Sequence, residues 1–154
     1  MGHNYYSEIN LHVTWHTKDS LPLLTPQVRD IVYRCLRQRL VNTPGVFFHE
    51  IGGIETHVHL VLSVPPTLLV SELVGQLKGA SSHEVNQQFD LRDKRLQWQA
   101  GYGAVSFGTR DLEWVKEYVQ NQEEHHSSGR VYDRLERISE IEARANEEEP
   151  RERG

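Results

Sequence analysis

The 154-residue chain is long enough for one compact domain and too short for two large ones. It has no apolar run of about 18 residues that would span a membrane and no secretory signal, so we expect a cytoplasmic protein without a membrane partner. One cysteine, Cys35, excludes a disulfide framework, and the net charge of −5 argues against a broad basic surface, although glutamates concentrated near the C-terminus leave room for a local one.

A strand and a helix are predicted for the first third of the domain. Apolar and more polar residues alternate over Tyr5–His16, which is typical of a half-buried strand. Thr25 followed by Pro26 is a favourable helix start, because threonine caps free amides and proline costs no hydrogen bond at the first helical position. Apolar residues then recur every three or four positions, which predicts an amphipathic helix that ends before Pro44 and covers a sheet.

A β-hairpin is predicted next. Two apolar runs, Val46–Ile51 and Glu55–Val64, are separated by Gly52 and Gly53. Glycine adopts the backbone conformations that tight turns require, so we expect an antiparallel pair of strands with these two glycines in the turn.

Two further helices and a strand are predicted after the hairpin. The spacing of leucines over Thr67–Gln88 indicates a second helix, which two internal glycines weaken. Aromatic and β-branched residues indicate a fourth strand over Trp98–Phe107. Thr109 is the predicted cap of a third helix, with two acidic residues in its first turn and Gly129 as its end signal.

The order of these elements predicts the fold class. Strand, helix, strand, strand, helix, strand is the plan of an α+β, ferredoxin-like domain, an antiparallel sheet with helices on one face, here assigned to residues 1–130. Apolar residues continue at helical spacing after Val131 and predict an added C-terminal helix. The glutamate-rich end is expected to be disordered, so residues 131–154 are predicted to be a helical, acidic, partly disordered tail.

Two histidines stand two positions apart in the third predicted strand. Alternate residues of a strand project from the same face, so His57 and His59 can reach one ion, and neutral imidazole is a common ligand of divalent metals. The alternative is two polar residues on an exposed sheet face. The apolar run that follows indicates a central strand, which favours the metal site. Glu55 shares their alternation parity and is either a partner of one histidine or an ordinary turn residue.

Tyr118 and Gln122 stand four apart in the third predicted helix. This spacing places both on one helix face, where they can present a nucleophile and a metal ligand together. The alternative is that Tyr118 is an amphipathic core residue. His125 and His126, near the end of this helix, are candidates for proton donors or phosphate contacts, although the helix dipole explains them well and is the preferred interpretation.

Four motifs occur together along the chain and in this order. They are His57-Val58-His59-Leu60, Leu77-Lys78-Gly79, Trp98-Gln99-Ala100-Gly101-Tyr102-Gly103-Ala104 and Tyr118-Val119-Gln120-Asn121-Gln122-Glu123-Glu124-His125-His126. The set resembles the single-tyrosine HUH transposases, which are small enzymes of bacterial insertion sequences, and their domesticated relatives, the REP-associated tyrosine transposases. The resemblance covers about residues 5–130 and excludes the acidic tail.

The resemblance implies an activity and a role for four residues. His57 and His59 match the histidine pair that binds the metal, usually Mg²⁺ or Mn²⁺; Gln122 matches the polar residue that completes the metal site, and Tyr118 matches the nucleophile. The family is dimeric with a ferredoxin-like core, recognises hairpins in single-stranded DNA, and cleaves and rejoins DNA through a 5′-phosphotyrosine intermediate. A site of two histidines and one amide lacks carboxylate charge, so we expect weak metal binding that tightens when a DNA phosphate joins the ion.

Several other residues are candidates for DNA contacts. Basic and hydroxyl side chains of the second helix suit phosphates, and two aromatic side chains near the fourth strand offer stacking surfaces for unpaired bases, although solvated or core positions explain all of them equally well or better. The set is Lys78, Ser81, Ser82, His83, Trp98 and Tyr102.

Two other functions are compatible with the same pattern. The strand and helix order also builds non-catalytic RNA-recognition modules, but these need aromatic residues on the third strand, where this chain has His57 and His59. A domesticated relative that keeps the cleavage site and serves genome maintenance is the second alternative.

Overall fold

A four-stranded antiparallel sheet forms the centre of the computed structural model, which describes residues 5–89 and 95–136. The strands are β1 (Asn10–His16), β2 (Phe47–Ile54), β3 (His57–Ser63) and β4 (Gly103–Phe107). The α-helices are α1 (Pro26–Val41), α2 (Val70–Gln88), α3 (Leu112–Gln120), α4 (Gln122–Ser128) and α5 (Asp133–Glu136). Short 3₁₀ turns lie at Lys18–Ser20 and Thr109–Asp111.

The order of the strands confirms the predicted α+β, ferredoxin-like plan. The sheet runs β2-β3-β1-β4, and every neighbouring pair is antiparallel. Helices α1 and α2 pack together over the apolar face of the sheet, around Trp15, Leu36, Leu60 and Leu77. The predicted start of α1 is confirmed, because the Thr25 hydroxyl accepts a hydrogen bond from the Val28 N–H.

The opposite face of the sheet is covered as well, which the alternation in β1 did not predict. Helix α3 packs on β2 and β3, and α5 packs on β1 and β4, around Val61, Val115 and Leu135. His12 and Thr14, on the more polar side of β1, are consequently 0% and 1% exposed. Strand β1 is therefore buried on both faces rather than half-buried.

The predicted turn of the hairpin is wrong. Gly52 and Gly53 lie inside β2, paired with His59 and Val58, and the turn falls two residues later at Glu55-Thr56. The physical reason at Gly52 is a close approach, because a Cβ atom there would overlap the carbonyl oxygen of Val119 in α3.

The other predicted boundaries differ in detail. β1 begins at Asn10 rather than Tyr5, and α2 at Val70 rather than Thr67. β4 begins at Gly103, because Gly101 has a φ of 94° and interrupts the ladder, leaving Trp98 in an isolated bridge.

The predicted third helix is divided. Thr109 starts a 3₁₀ turn and makes no cap for α3, since its Oγ1 accepts a hydrogen bond from Asn10 Nδ2 instead. Asn121 then leaves the helical conformation, with φ −105° and ψ 32°, and separates α3 from α4. Gly129 ends α4 in the left-handed conformation, as its end signal predicts.

The described part of the predicted tail packs against the domain. Leu135, in α5, is only 3% exposed. The rest of the predicted tail, residues 137–154, lies outside the described residues. Within the described ranges, no helix is both long and apolar enough to cross a membrane.

Candidate active site

His57 and His59 lie side by side on the face of β3 that α3 and α5 cover. Both are buried, with 2% and 0% exposure. Their Nε2 atoms lie 3.3 and 3.4 Å from the same oxygen, Oε2 of Glu136. The strand alternation therefore brings both imidazoles to one point, as predicted.

A fourth group, His126 of α4, completes a cluster around this point. Its Nε2 lies 3.1 Å from His57 Nε2 and 3.6 Å from Glu136 Oε1. One ligand atom from each of His57, His59, His126 and Glu136 lies within 4.8 Å of the others. Atoms bound to one ion at about 2.0–2.2 Å lie roughly 3–3.6 Å apart. The four separations of 3.1 to 3.6 Å fall in this range, whereas the cluster as a whole, which spans up to 4.8 Å, would have to contract slightly around a divalent metal.

The protonation of the cluster also fits a metal. Burial, together with the neighbouring His59, lowers the pKa of His57 to about 3, so its imidazole is neutral at pH 7 and keeps a lone pair for an ion. Burial alone would raise the pKa of Glu136, but the adjacent imidazoles of His59 and His57 and the hydrogen bond from Tyr118 outweigh it and lower that pKa to about 2. His59 Nε2 is buried without a hydrogen bond, which is the state that a coordinated ion would relieve.

His12 lies directly behind His59 in the neighbouring strand. Its Nε2 is 2.7 Å from His59 Nδ1, and burial lowers the pKa of His12 to about 3, so the neutral His12 ring can accept a hydrogen from His59 Nδ1. When His59 Nδ1 carries that hydrogen, its Nε2 presents a lone pair to the cluster. His12 is thus placed to orient His59 for metal binding. His12 was not among the predicted site residues, although its position in β1 puts it on the same sheet face as His59.

Replacing His12 tests this orientation. We expect His12→Leu to weaken Mn²⁺ binding by about 10- to 100-fold, because His59 loses the partner that fixes its tautomer, and His12→Gln, which keeps an acceptor, to retain most of the affinity. Titration calorimetry with Mn²⁺ measures both. His49→Leu is the matched control, since it removes a histidine bonded to Ser63 at the other end of this sheet face. Equal affinities for His12→Leu and the wild type would contradict the role.

Tyr118 of α3 adjoins the cluster through its hydroxyl group. The hydroxyl donates a 2.7 Å hydrogen bond to Glu136 Oε1 and accepts one of 2.8 Å from the Tyr132 backbone N–H. The ring stacks with His125 at 4.7 Å between centroids, and the residue is 4% exposed. Burial, with Glu136 adding to it, raises the pKa of Tyr118, so the phenol is protonated in this conformation.

Gln122 lies at the start of α4, not in one continuous helix with Tyr118. Its Nε2 donates to the Tyr118 carbonyl oxygen at 3.1 Å, and its Oε1 lies 3.2 Å from His126 Nε2. Gln122 is 1% exposed. It therefore borders the cluster through His126, although the break at Asn121 changes the helix that carries it.

Helix α4 carries two histidines with different surroundings. Both His125 and His126 lie in its last turn, where the dipole favours them, but His126 also belongs to the cluster. The preferred dipole interpretation therefore missed the contacts of His126. Glu55 is exposed in the β2–β3 turn, which fits its interpretation as a turn residue.

Ser81 and Trp98, predicted as DNA contacts, are hydrogen-bonded to each other, with Ser81 buried and Trp98 half-buried. Ser81 is 0% exposed and accepts a 3.0 Å hydrogen bond from Trp98 Nε1. The Trp98 ring meets Trp15 edge-on at 5.8 Å. The Ser81 hydroxyl is thus unavailable to a phosphate, and Trp98 packs as a core aromatic.

Lys78 braces the loop that precedes β4. Its Nζ donates to the carbonyl oxygens of Gln99 at 2.6 Å and Gly101 at 3.1 Å. The Ser82 hydroxyl donates to the Lys78 carbonyl oxygen, and His83 is exposed. Tyr102, in the braced loop, is half-buried against the main core. None of these residues belongs to the histidine cluster.

The chain is similar in sequence to known transposases. The model of the family described as transposase, IS200-like, matches residues 5–122. The transposase of insertion sequence element IS200 from Salmonella typhimurium is 35% identical over 130 residues, covering 77% of this chain and 84% of that protein. The ISDra2 transposase TnpA of Deinococcus radiodurans is 23% identical over 125 residues, covering 79% and 89%.

Two solved structures share the fold. A candidate transposase from Deinococcus radiodurans R1 superposes with a TM-score of 0.61 at 23% identity, covering 79% of this chain and 96% of that one. A REP-associated tyrosine transposase bound to a REP hairpin gives a TM-score of 0.57 at 16% identity, covering 85% and 75%. With the family match over most of the domain and the clustered histidines beside a tyrosine, the chain belongs to the IS200-like family of DNA transposases, the single-tyrosine HUH class.

Proposed function

We propose that this transposase cleaves and rejoins hairpin-forming single-stranded DNA through a covalent bond between Tyr118 and a 5′ phosphate, beside a divalent metal ion. The observation that carries the proposal is a shared carboxylate. Glu136 contacts the Tyr118 hydroxyl with one oxygen and the Nε2 atoms of His57 and His59 with the other. The nucleophile and the candidate metal ligands therefore face the same small space.

The roles of the residues follow from the chemistry of phosphoryl transfer. An ion held by His57 and His59 would supply charge to neutralise the phosphate oxygens in the transition state. The Tyr118 oxygen forms a bond to phosphorus, the bond from phosphorus to the 3′ oxygen breaks, the phenol loses its proton and the leaving 3′ oxygen gains one. A 3′ hydroxyl of another strand can reverse the step, so cleavage and joining need no nucleotide cofactor.

Mg²⁺ or Mn²⁺ is the proposed ion, and Gln122 the proposed third ligand. Gln122 Oε1 lies beside His126 Nε2, at the edge of the cluster, and would supply an amide oxygen to an ion held there. Oxygen and imidazole ligands together suit these cations. His126 is the competing nitrogen ligand at the same edge.

The proposed substrate is a hairpin in single-stranded DNA, and the proposed assembly is a homodimer. A structural neighbour of this chain was solved with a REP hairpin, which supports the substrate class. His83, Trp98 and Tyr102 remain proposed DNA contacts, because part of each side chain is accessible. The dimer rests on the resemblance to the family, and the mass in solution tests it.

The sheet surface argues against a module that only stacks bases. Such modules present an open sheet with aromatic side chains, whereas α1 and α2 cover one face here and α3 and α5 cover the other. The third strand carries His57 and His59 at buried positions on the covered face. A catalytic pocket explains these buried imidazoles better than a stacking platform does.

A covalent-capture experiment tests the proposed function. The protein is incubated with end-labelled single-stranded DNAs that form hairpins, with Mn²⁺ or with EDTA, and separated on a denaturing gel. We expect a labelled protein-DNA band that requires Mn²⁺ and is absent with fully paired duplexes of the same sequence. Binding that falls steeply with salt is expected alongside it, because several phosphates are contacted. No band with any hairpin would overturn the proposal.

A further inference from the structure

Glu136 lies in the candidate active site but outside the part of the chain that matches the family model. The family match ends at residue 122, and Glu136 is the last residue of α5. Its side chain is 14% exposed and points at the histidine cluster. The match to the family model therefore does not account for this carboxylate.

The residues between α4 and Glu136 are fixed by contacts with the rest of the domain. The Arg130 N–H donates to the His125 carbonyl oxygen where α4 ends, and the Tyr132 N–H donates to the Tyr118 hydroxyl. Leu135, the preceding residue, is buried beside Val61 and Val115. Because of these contacts, Glu136 lies at the histidine cluster as part of the packed domain.

The position of the carboxylate matches that of a metal ligand. Its Oε2 is nearly equidistant from His57 Nε2 and His59 Nε2, at 3.3 and 3.4 Å. The Nε2 atom of His59 is buried without a hydrogen bond, so Glu136 does not satisfy it directly. An ion between the three atoms would satisfy all of them, and the carboxylate would add the negative charge that two histidines and an amide lack.

The same carboxylate also holds the nucleophile. Glu136 Oε1 accepts the hydrogen of the Tyr118 hydroxyl at 2.7 Å. A phosphate placed for attack by the Tyr118 oxygen, and bound to an ion at His57 and His59, needs the space that this carboxylate fills. Glu136 and the DNA phosphate therefore compete for one position.

We propose that Glu136 is an exchangeable metal ligand: it completes the coordination of the ion in the DNA-free protein and gives up its place to the scissile phosphate. The inference rests on the proposed function, because it assumes the ion at His57 and His59. It makes the ion bind more tightly before DNA arrives than the matched domain alone would allow. Residues 131–136 are then a working part of the site rather than an addition to it.

Mn²⁺ binding to the complete protein, followed by electron paramagnetic resonance of free Mn²⁺, tests the inference. We expect Glu136→Gln to weaken Mn²⁺ binding by about tenfold in the absence of DNA, because an amide replaces a charged ligand. Glu124→Gln is the matched control, since Glu124 is exposed on α4. With a saturating phosphodiester hairpin, the Mn²⁺ affinities of the wild type and Glu136→Gln should converge, because in both proteins the phosphate then occupies the position of the side chain of residue 136.

His57→Ala separates failure of the inference from failure of the proposed function. If His57→Ala abolishes Mn²⁺ binding and Glu136→Gln leaves it unchanged, the metal site stands and the role of Glu136 is overturned. If neither change affects Mn²⁺ binding, the proposed metal site itself is overturned. Should Glu136→Gln fail to fold, Glu136→Ala removes the carboxylate without placing an amide beside the histidines; an Mn²⁺ affinity equal to that of the wild type both with and without the hairpin would also overturn the inference.

Discussion

Tyr118→Phe is expected to abolish the covalent protein-DNA band while leaving hairpin binding nearly intact. The substitution removes one oxygen atom, which is the proposed nucleophile, so covalent capture should fall by at least about a thousandfold. The aromatic ring keeps its stacking against His125 and Trp114, so the surface offered to DNA is little changed. Denaturing gels with labelled hairpin and Mn²⁺ measure capture, and anisotropy measures binding.

Tyr118→Phe should also show how much the hydroxyl contributes to the stability of the folded protein. The Tyr118 hydroxyl makes two hydrogen bonds, to Glu136 and from the Tyr132 N–H, so its loss is expected to lower the free energy of unfolding by about 1–2 kcal/mol. Tyr33→Phe is the matched control, because it removes the hydroxyl of a half-buried tyrosine on α1. Undiminished capture by Tyr118→Phe would assign the covalent bond to another residue.

Local sequence patterns predicted most of the elements because they reflect local causes. The capped start of α1, at Thr25 and Pro26, depends on neighbouring atoms only and was predicted correctly. The position of the β2–β3 turn was predicted wrongly. Glycine often marks a turn, but it also occurs where another element packs so closely that no side chain fits. At Gly52 that element is α3, which is separated from it by more than fifty residues and leaves no trace in the local pattern.

The residues of the candidate site likewise fall into those that local sequence patterns predicted and those that they did not. Alternation in one strand was sufficient to place His57 and His59 together, and four-residue spacing kept Gln122 next to Tyr118 even across a break between helices. Glu136 carries no local signal, since it is one of many glutamates near the C-terminus. Its place depends on how the chain turns after α4 and on the burial of Leu135, which only the tertiary structure shows.

The approach of α3 to β2 makes Gly52 the position where the smallest addition should have a large effect. A Cβ atom at Gly52 would overlap the Val119 carbonyl oxygen and lie 2.9 Å from the Val119 carbonyl carbon. Both are backbone atoms, so no rotamer change relieves the contact and α3 itself must move. We expect Gly52→Ala to lower the free energy of unfolding by roughly 3 kcal/mol, measured by urea denaturation.

The movement of α3 should reach the active site, because Val119 is the neighbour of Tyr118. A shift of about 1 Å in a reacting group costs on the order of a hundredfold in rate, so covalent capture by Gly52→Ala should fall by about that factor even below its melting temperature. Gly79→Ala is the matched control: nothing lies within 4 Å of a Cβ there, and alanine suits the interior of α2 better than glycine does. If Gly52→Ala had the same stability and the same covalent capture as the wild type, the backbone of Val119 in α3 would not lie as close to Gly52 as described here.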